Sequence, residues 1–279
     1  YGPANEIYLK VGDKTIPLSG KWKYKISASN SDFDFVEYGP NAYPSLLYNA
    51  MVNPLVGLSM RGVIWYQGEN NTNRAKEYYH LFPAMINDWR KKWGKDFPFY
   101  WVQLANYMDA VEVPSESLWA QVREAQTQTL SLSHTGQAVI IDIGEAKDIH
   151  PKNKQEVGRR LALHALHNDY GFSDVVCESP MPKTVRRVQD KIAVQFDNVA
   201  DGLIVKNKYG YLMSFAVAGN DGVYKWVQAK VAGKDRVVLS CPDVIDPVSV
   251  RYAWGDNPDD ANLYNSVGLP ATPFEIKIE

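Results

Sequence analysis

The hydrophobic pattern of this 279-residue chain changes once, near Gly171, and that change restricts the folds open to it. Before Gly171, strand-like and helix-like stretches alternate. Pro44 to Leu55 reads as helix, Gly62 to Tyr66 as an apolar strand, and Arg74 to Trp93 as helix. Phe97 to Leu104 reads as strand, Ser115 to about Leu132 as helix, Ala138 to Ile143 as strand and Asn153 to His167 as helix. Such alternation predicts a parallel sheet covered by helices and joined by right-handed crossovers. After Gly171 the helical period stops. Ile192–Phe196, Tyr211–Val217, Lys225–Val231, Arg236–Ser240 and Ser249–Trp254 are short strand signals separated by Gly, Asn and Asp clusters, with Asn220-Asp221-Gly222 a strong turn. That spacing predicts an all-β sandwich. Glu6 to Ile26 also reads as strand, in the stretches from Ile7 and Trp22–Ile26.

Bulk properties exclude more than they assert. The net charge of -2 gives no reason to expect nucleic acid or an anionic membrane. No apolar run reaches the length of a membrane span. Cys177 and Cys241 are too few for a disulfide framework, and buried free thiols are the expectation. His164 and His167 lack further ligands, so neither a metal nor another cofactor is called for. Aromatic residues make up 12% of the chain, including 8 Trp and 17 Tyr. Sugars stack on such rings, although β-rich cores use them as well.

Two polar segments carry the chemistry. In Lys147-Asp148-Ile149-His150-Pro151-Lys152-Asn153-Lys154, a histidine stands before a helix with a carboxylate two residues earlier. Pro151 suits the first helical turn, so His150 is expected in a strand-to-helix loop, where α/β sheets put their chemistry. The alternative is a helix-capping histidine beside a surface aspartate. In the second segment, the strand ending at Tyr66 delivers Gln67, Gly68, Glu69, Asn70 and Asn71 together. A plain turn needs a glycine and a cap, not this set. Amides there can donate to a developing oxyanion.

These segments, with Leu47–Leu55, Trp119-Ala120-Gln121-Val122-Arg123-Glu124-Ala125-Gln126, Pro247–Trp254 and Asn262–Asn265, resemble the SGNH hydrolases, and specifically the sialate O-acetylesterase group. The resemblance covers nearly the whole chain from about Ile7. It implies a flavodoxin-like parallel sheet with helices on both faces, over 36–170, followed by a smaller β-sandwich over 171–279, with 1–35 a β-rich segment packing on the latter. It implies an esterase that removes acetyl groups from sugar hydroxyls through a serine and a histidine, working outside the cytoplasm, periplasmic or secreted. His150 takes the general-base position and Gln67 an oxyanion-side amide. Gly68 allows close backbone approach, and Glu69 and Asn70 join the substrate side.

Two departures from the family pattern matter. Members of the group carry the nucleophile in a Gly-Gln-Ser-Asn-like turn, which is absent here. Ser59 is the nearest candidate but lacks the second glycine of a nucleophile elbow; Ser45 and Ser115 read as helix N-terminal residues. The chain begins at Tyr1 without a methionine, so it is expected to be a fragment whose nucleophile lies upstream in the same polypeptide. The second departure is the acid. Many SGNH enzymes place aspartate three residues before the histidine, where Lys147 stands here. Asp148 is the first candidate to orient His150, with a backbone carbonyl or Asp142 as alternatives. A carbohydrate-binding protein without a nucleophile, or an acetylxylan esterase, are the rival functions.

Overall fold

The computed structural model describes residues 7–23, 25, 39 and 42–279. The chain divides into two compact units, Tyr1–Val56 and Gly57–Glu279. In the first, β1 (Tyr8–Val11) and β2 (Lys14–Pro17) form an antiparallel hairpin. Its turn puts Gly12 at φ 58°, a conformation that favours glycine. The strand expected over Trp22–Ile26 falls partly outside the described residues. The helix expected over Pro44–Leu55 is not α-helical along its length. Tyr48–Val52 is a π-helical turn and Asn53–Leu55 a 3-10 turn. Pro54 has no N–H to continue an α-helical ladder. Ser45 directly precedes this helical stretch, with its backbone at φ 67° and its carbonyl accepting from the Asn49 N–H at 2.8 Å.

The second unit holds a parallel sheet ordered β3 (Val63–Trp65), β4 (Phe99–Val102), β5 (Thr135–Ala138). All four residues of β4 are buried, because both of its faces are covered. Phe99 and Trp101 point into a cluster with Tyr78, Phe82 and Ile86 of α1 (Ala75–Trp93) and Val122 of α2 (Leu118–Gln128). The alternate residues Tyr100 and Val102 pack with Val157 and Leu161 of α3 (Lys154–Asp169). Helices therefore lie on both faces. Helix α1 ends at Gly94, whose left-handed backbone closes the last turn. Helix α2 is capped by Ser117, which accepts from the Ala120 N–H at 2.8 Å, rather than starting at Ser115.

The third strand sits earlier than Ala138–Ile143. The sequence Thr135-Gly136-Gln137-Ala138 looks too polar and too flexible for a buried strand, yet α3 explains it. A Cβ on Gly136 would stand 2.5 Å from His164 Nδ1 and 2.9 Å from Tyr100 Cδ1. The glycine is what lets the helix lie that close. His164 stacks on Tyr100 and places Nε2 3.0 Å from the Gln137 carbonyl.

Burial holds the His164 imidazole below its ordinary pKa of 6.5. The unfolded chain therefore binds this proton more readily than the folded one. The His164 contribution is present above the unfolded value and is lost progressively as pH falls below about 6.5 toward the lower folded value. The thermal midpoint is expected to drop between pH 7 and pH 5, and His164→Asn should flatten that part of the profile. An unchanged slope in the variant would assign the drop to other groups.

From Met181 onward every strand pairing is antiparallel, and the described residues contain no helix there. One sheet is ordered β11 (Gln228–Val231), β12 (Arg236–Ser240), β7 (Lys191–Asp197), β6 (Met181–Val188). The other is β10 (Tyr224–Trp226), β9 (Phe215–Ala218), β13 (Ser249–Tyr252), β15 (Phe274–Lys277). A short pair, β8 (Leu203–Val205) with β14 (Leu263–Asn265), completes the set. The single strand expected over Lys225–Val231 is two, with Val227 as the point where the chain passes from one sheet to the other. Residues from both four-stranded sheets share one core, including Val194, Phe196, Phe215, Val237, Leu239 and Tyr252.

That core also takes in Val139 and Ile141, which continue from β5, while Ile140 between them packs under α3. The parallel and antiparallel parts are thus joined by side chains alternating along one segment. A polar seam reinforces the joint. Arg123 of α2 is fully buried and donates to the Leu104, Ala105, Gly255 and Asp256 carbonyls at 2.6 to 2.9 Å. Burial pulls its guanidinium down to about 9. Cys177 and Cys241 are both free and buried.

Candidate active site

Because β3, β4 and β5 run parallel, the turn after Trp65 and the loop after β5 leave the same edge of the sheet. The segment Gln67–Arg74 is built tightly. Gly68 has φ 157°, and a Cβ on it would meet Gln126 Nε2 at 3.1 Å and Leu104 Cδ2 at 3.2 Å. A 3-10 turn, Glu69–Arg74, follows. The Gln67 side-chain amide donates to Asn71 Oδ1 at 2.9 Å, and its carbonyl oxygen accepts from Tyr78 OH at 3.3 Å. The main-chain carbonyl of Gln67 accepts from Tyr78 OH and from Gln126 Nε2. Gln67 and Gly68 are therefore held from below by two buried side chains. Glu69 is half-buried and Asn70 exposed. Burial, and after it the charge of Glu69, pushes the Tyr66 hydroxyl up to about 12.

His150 stands in the loop before α3. Asn153 caps that helix by accepting from the Glu156 N–H at 3.1 Å, so Pro151 precedes the helix instead of forming its first turn. The alternative reading, a helix-capping histidine, is not found, since the cap is Asn153. The imidazole of His150 is 85% exposed. Asp148 Oδ1 accepts from the backbone N–H of His150 at 2.9 Å, fixing the loop, and lies 3.7 Å from Nδ1. That second distance is beyond a hydrogen bond. Asp142 belongs elsewhere. Arg160 holds both its oxygens, at 2.6 and 2.9 Å, and Tyr264 OH donates to it. This ion pair ties α3 to the antiparallel strands and leaves Asp142 no free face for His150.

Contacts join the two polar segments. Lys154 Nζ lies 4.5 Å from the ring centre of Tyr66, beside Gln67. Ile149, next to His150, packs on the cluster that contains Tyr78 and Trp119. The loop after β4 braces the same region. Asn106 Oδ1 accepts from the Gly144 N–H at 2.7 Å, and the Met108 N–H donates to the Ala146 carbonyl at 2.9 Å. Among the described residues, no group of three His, Cys, Asp or Glu could hold a metal ion. Ser59 lies in an exposed stretch before β3, at the opposite edge of the parallel sheet from Gln67.

Sequence reasoning passed over Gln126, Tyr78 and Asn106. Gln126 had a visible signal: it is a polar residue three positions after Arg123 on a helix face shared with Trp119 and Val122, and all four are buried. Polar side chains on an inward face need partners, and here the partners are the turn at Gln67 and the edge of β4.

The family matching residues 31–167 is described as "Carbohydrate esterase, sialic acid-specific acetylesterase". The chain is 31% identical over 278 residues to the sialate O-acetylesterase of Rattus norvegicus, covering 88% of this chain and 50% of that protein. It is also 31% identical to the sialate O-acetylesterase of Homo sapiens, over 85% of this chain and 49% of that one. The crystal structure of a carbohydrate acetylesterase from Xanthomonas citri superposes with a TM-score of 0.79 at 44% identity, over 85% of this chain and 55% of that chain. The chain thus spans about half the length of the relatives it matches. Over residues 31–167, the chain thus matches the sialic acid-specific acetylesterase family of carbohydrate esterases.

Proposed function

We propose that this chain is part of a carbohydrate O-acetylesterase that hydrolyses acetyl esters on sugar hydroxyls. What supports the reading is that Lys154, in the segment that follows His150, reaches the Tyr66 ring beside Gln67, and that the chain leaves β3 and β5 at the same edge of the parallel sheet. In this reading the parallel sheet is the core of an SGNH hydrolase domain over 36–170, and the strands after Gly171 form a β-sandwich domain. The Gln67 amide and the backbone at Gly68 stabilise the oxyanion. Glu69 and Asn70 meet the sugar. His150 takes the proton of the attacking hydroxyl and gives it to the leaving sugar oxygen; in the second step it takes a proton from the water that attacks the acetyl-enzyme and returns that proton to the nucleophile's oxygen. Asp148 orients the loop by its bond to the His150 N–H, and its charge favours the imidazolium that forms.

The hydroxyl nucleophile is supplied by a segment of the same polypeptide outside these residues. The support is an inventory: among the described serines, Ser115 and Ser117 lie in the connection from β4 to α2, but that connection is a long loop, not a tight nucleophile elbow, and the Ser117 hydroxyl is taken up by the α2 cap and by Asp256. The family resemblance favours export, periplasmic or secreted. No helix of the described residues is long and apolar enough to cross a membrane.

The test is an aryl-acetate assay of the 279-residue chain, alone and then with the preceding segment of its polypeptide restored. Activity is expected only in the second case, with a small residual rate in the first from oxyanion stabilisation alone. Strong activity of the chain alone, lost on Ser59→Ala, would move the nucleophile to Ser59. Inactivity in both cases would leave a non-catalytic carbohydrate-binding protein.

A further inference from the structure

The outer face of the antiparallel sheet β11-β12-β7-β6 carries a groove of about 820 Å³. Its floor is set by strand register. Gln228, Ser240 and Lys191 are direct neighbours across β11, β12 and β7, and Lys230 pairs with Val238 in the next row on the same face. One row thus aligns an amide, a hydroxyl and an ammonium. Three aromatic side chains stand around it. Tyr209 and Tyr211 are each 68% exposed, and Trp226 is 43% exposed.

Exposed rings of this size are costly to leave in water and are ordinarily folded inward. Here the backbone holds them out. Asn207 accepts from the Tyr209 N–H at 2.8 Å, and its own amide donates to the Tyr211 carbonyl at 2.6 Å. Asn262 donates to the same carbonyl at 2.8 Å. The Trp226 indole N–H is fixed by the Glu112 carbonyl at 2.9 Å. The two tyrosine rings lie 6.0 Å apart, tilted by 31°. A loop backbone and an indole fixed before binding lose little freedom when a ligand arrives.

The charge selects the ligand. Lys191 and Lys230 line the groove, no lining side chain is acidic, and Lys208 Nζ lies 4.7 Å over the Tyr209 ring. Flat apolar rings, a row of hydrogen-bonding groups and unopposed positive charge suit a sugar that presents C–H faces, hydroxyls and a carboxylate together. We propose that this groove is a binding site for an acidic glycan, separate from the Gln67–His150 edge. The proposal rests on the carbohydrate reading of the protein for its ligand class, but not on catalysis.

The 279-residue chain would be titrated with sialyllactose and with lactose, following tryptophan fluorescence and calorimetry. Sialyllactose is expected to bind and to be preferred over lactose, with added salt reducing the preference. The Tyr209→Ala/Tyr211→Ala variant should bind roughly tenfold more weakly, because stacked rings contribute at that scale. Lys191→Gln/Lys230→Gln should bring the two sugars to equal affinity. All four positions are surface residues, and circular dichroism of each variant would establish that the fold is intact. Equal binding of both sugars by the wild-type chain would overturn the acidic assignment. Binding of neither, or binding untouched by loss of both tyrosines, would overturn the site. Neither result depends on esterase activity, so failure of the catalytic reading is distinguishable.

Discussion

Arg123→Met is expected to leave little folded protein at room temperature. The side chain is fully buried and satisfies four main-chain carbonyls, two after β4 and two in the Gly255–Asp256 turn. Each buried acceptor left unpaired costs about 1–3 kcal/mol. Several together approach the whole stability of an ordinary domain, about 5–15 kcal/mol. Arg123→Lys should not rescue the fold, since one ammonium on a flexible stem cannot span two sets of carbonyls as a guanidinium does. For the same reason, deletion of Phe172–Glu279 is expected to give an insoluble product: it would strip the partners of Arg123 and the core around Val139 and Ile141. Denaturant unfolding followed by circular dichroism provides the check. A midpoint for Arg123→Met close to that of the unmodified chain would mean that waters replace the guanidinium.

His150→Ala, in the polypeptide with its preceding segment restored, should lower turnover on an aryl acetate by about a hundredfold to ten-thousandfold, the usual worth of a general base. Its KM should change little, because the imidazole is expected to act on the proton and not on the sugar. Asp148→Asn should cost less. The Asp148 carboxylate is engaged by the His150 backbone N–H, an acceptor role that an amide oxygen can keep. Turnover in His150→Ala within a factor of a few of the parent enzyme would remove His150 from the mechanism. The fold is not at stake in that variant, since the ring is exposed.

The alternating half of the fold was legible because burial on both faces of β4 and on one stripe of each helix leaves a periodic trace. The strand Arg236–Ser240 and the turn at Asn220–Gly222 were legible for similar reasons. Thr135–Ala138 was hidden because its composition answers to α3, a contact formed 27 residues later between Gln137 and His164. Strand β6 begins Met-Pro-Lys, which reads as a loop, and its pairing slips between Pro182 and Thr184. At the proposed site, His150, Gln67 and Gly68 were visible as residues of polar turns next to strand and helix patterns. Asp142 looked like a possible partner of His150, and nothing local reveals that Arg160 occupies it. Side chains that hold the site in shape, such as Gln126, carry no separate signature because their role exists only after folding.

The missing side chain at Gly136 has reach beyond its own strand. His164 is eleven residues along α3 from the Asn153 cap, roughly 16 Å at the usual helical rise. A helix is stiff over that span, so a methyl group inserted at 136 would act as a wedge under one end of a rod. The other end carries the His150 loop. Displacements of about 1 Å at reacting groups can cost a hundredfold in rate. A position without any functional group, in contact with the later part of α3, thus bears on where the loop before that helix is held. If His150 acts as proposed, catalytic tuning is then open to change at a residue that never meets a substrate.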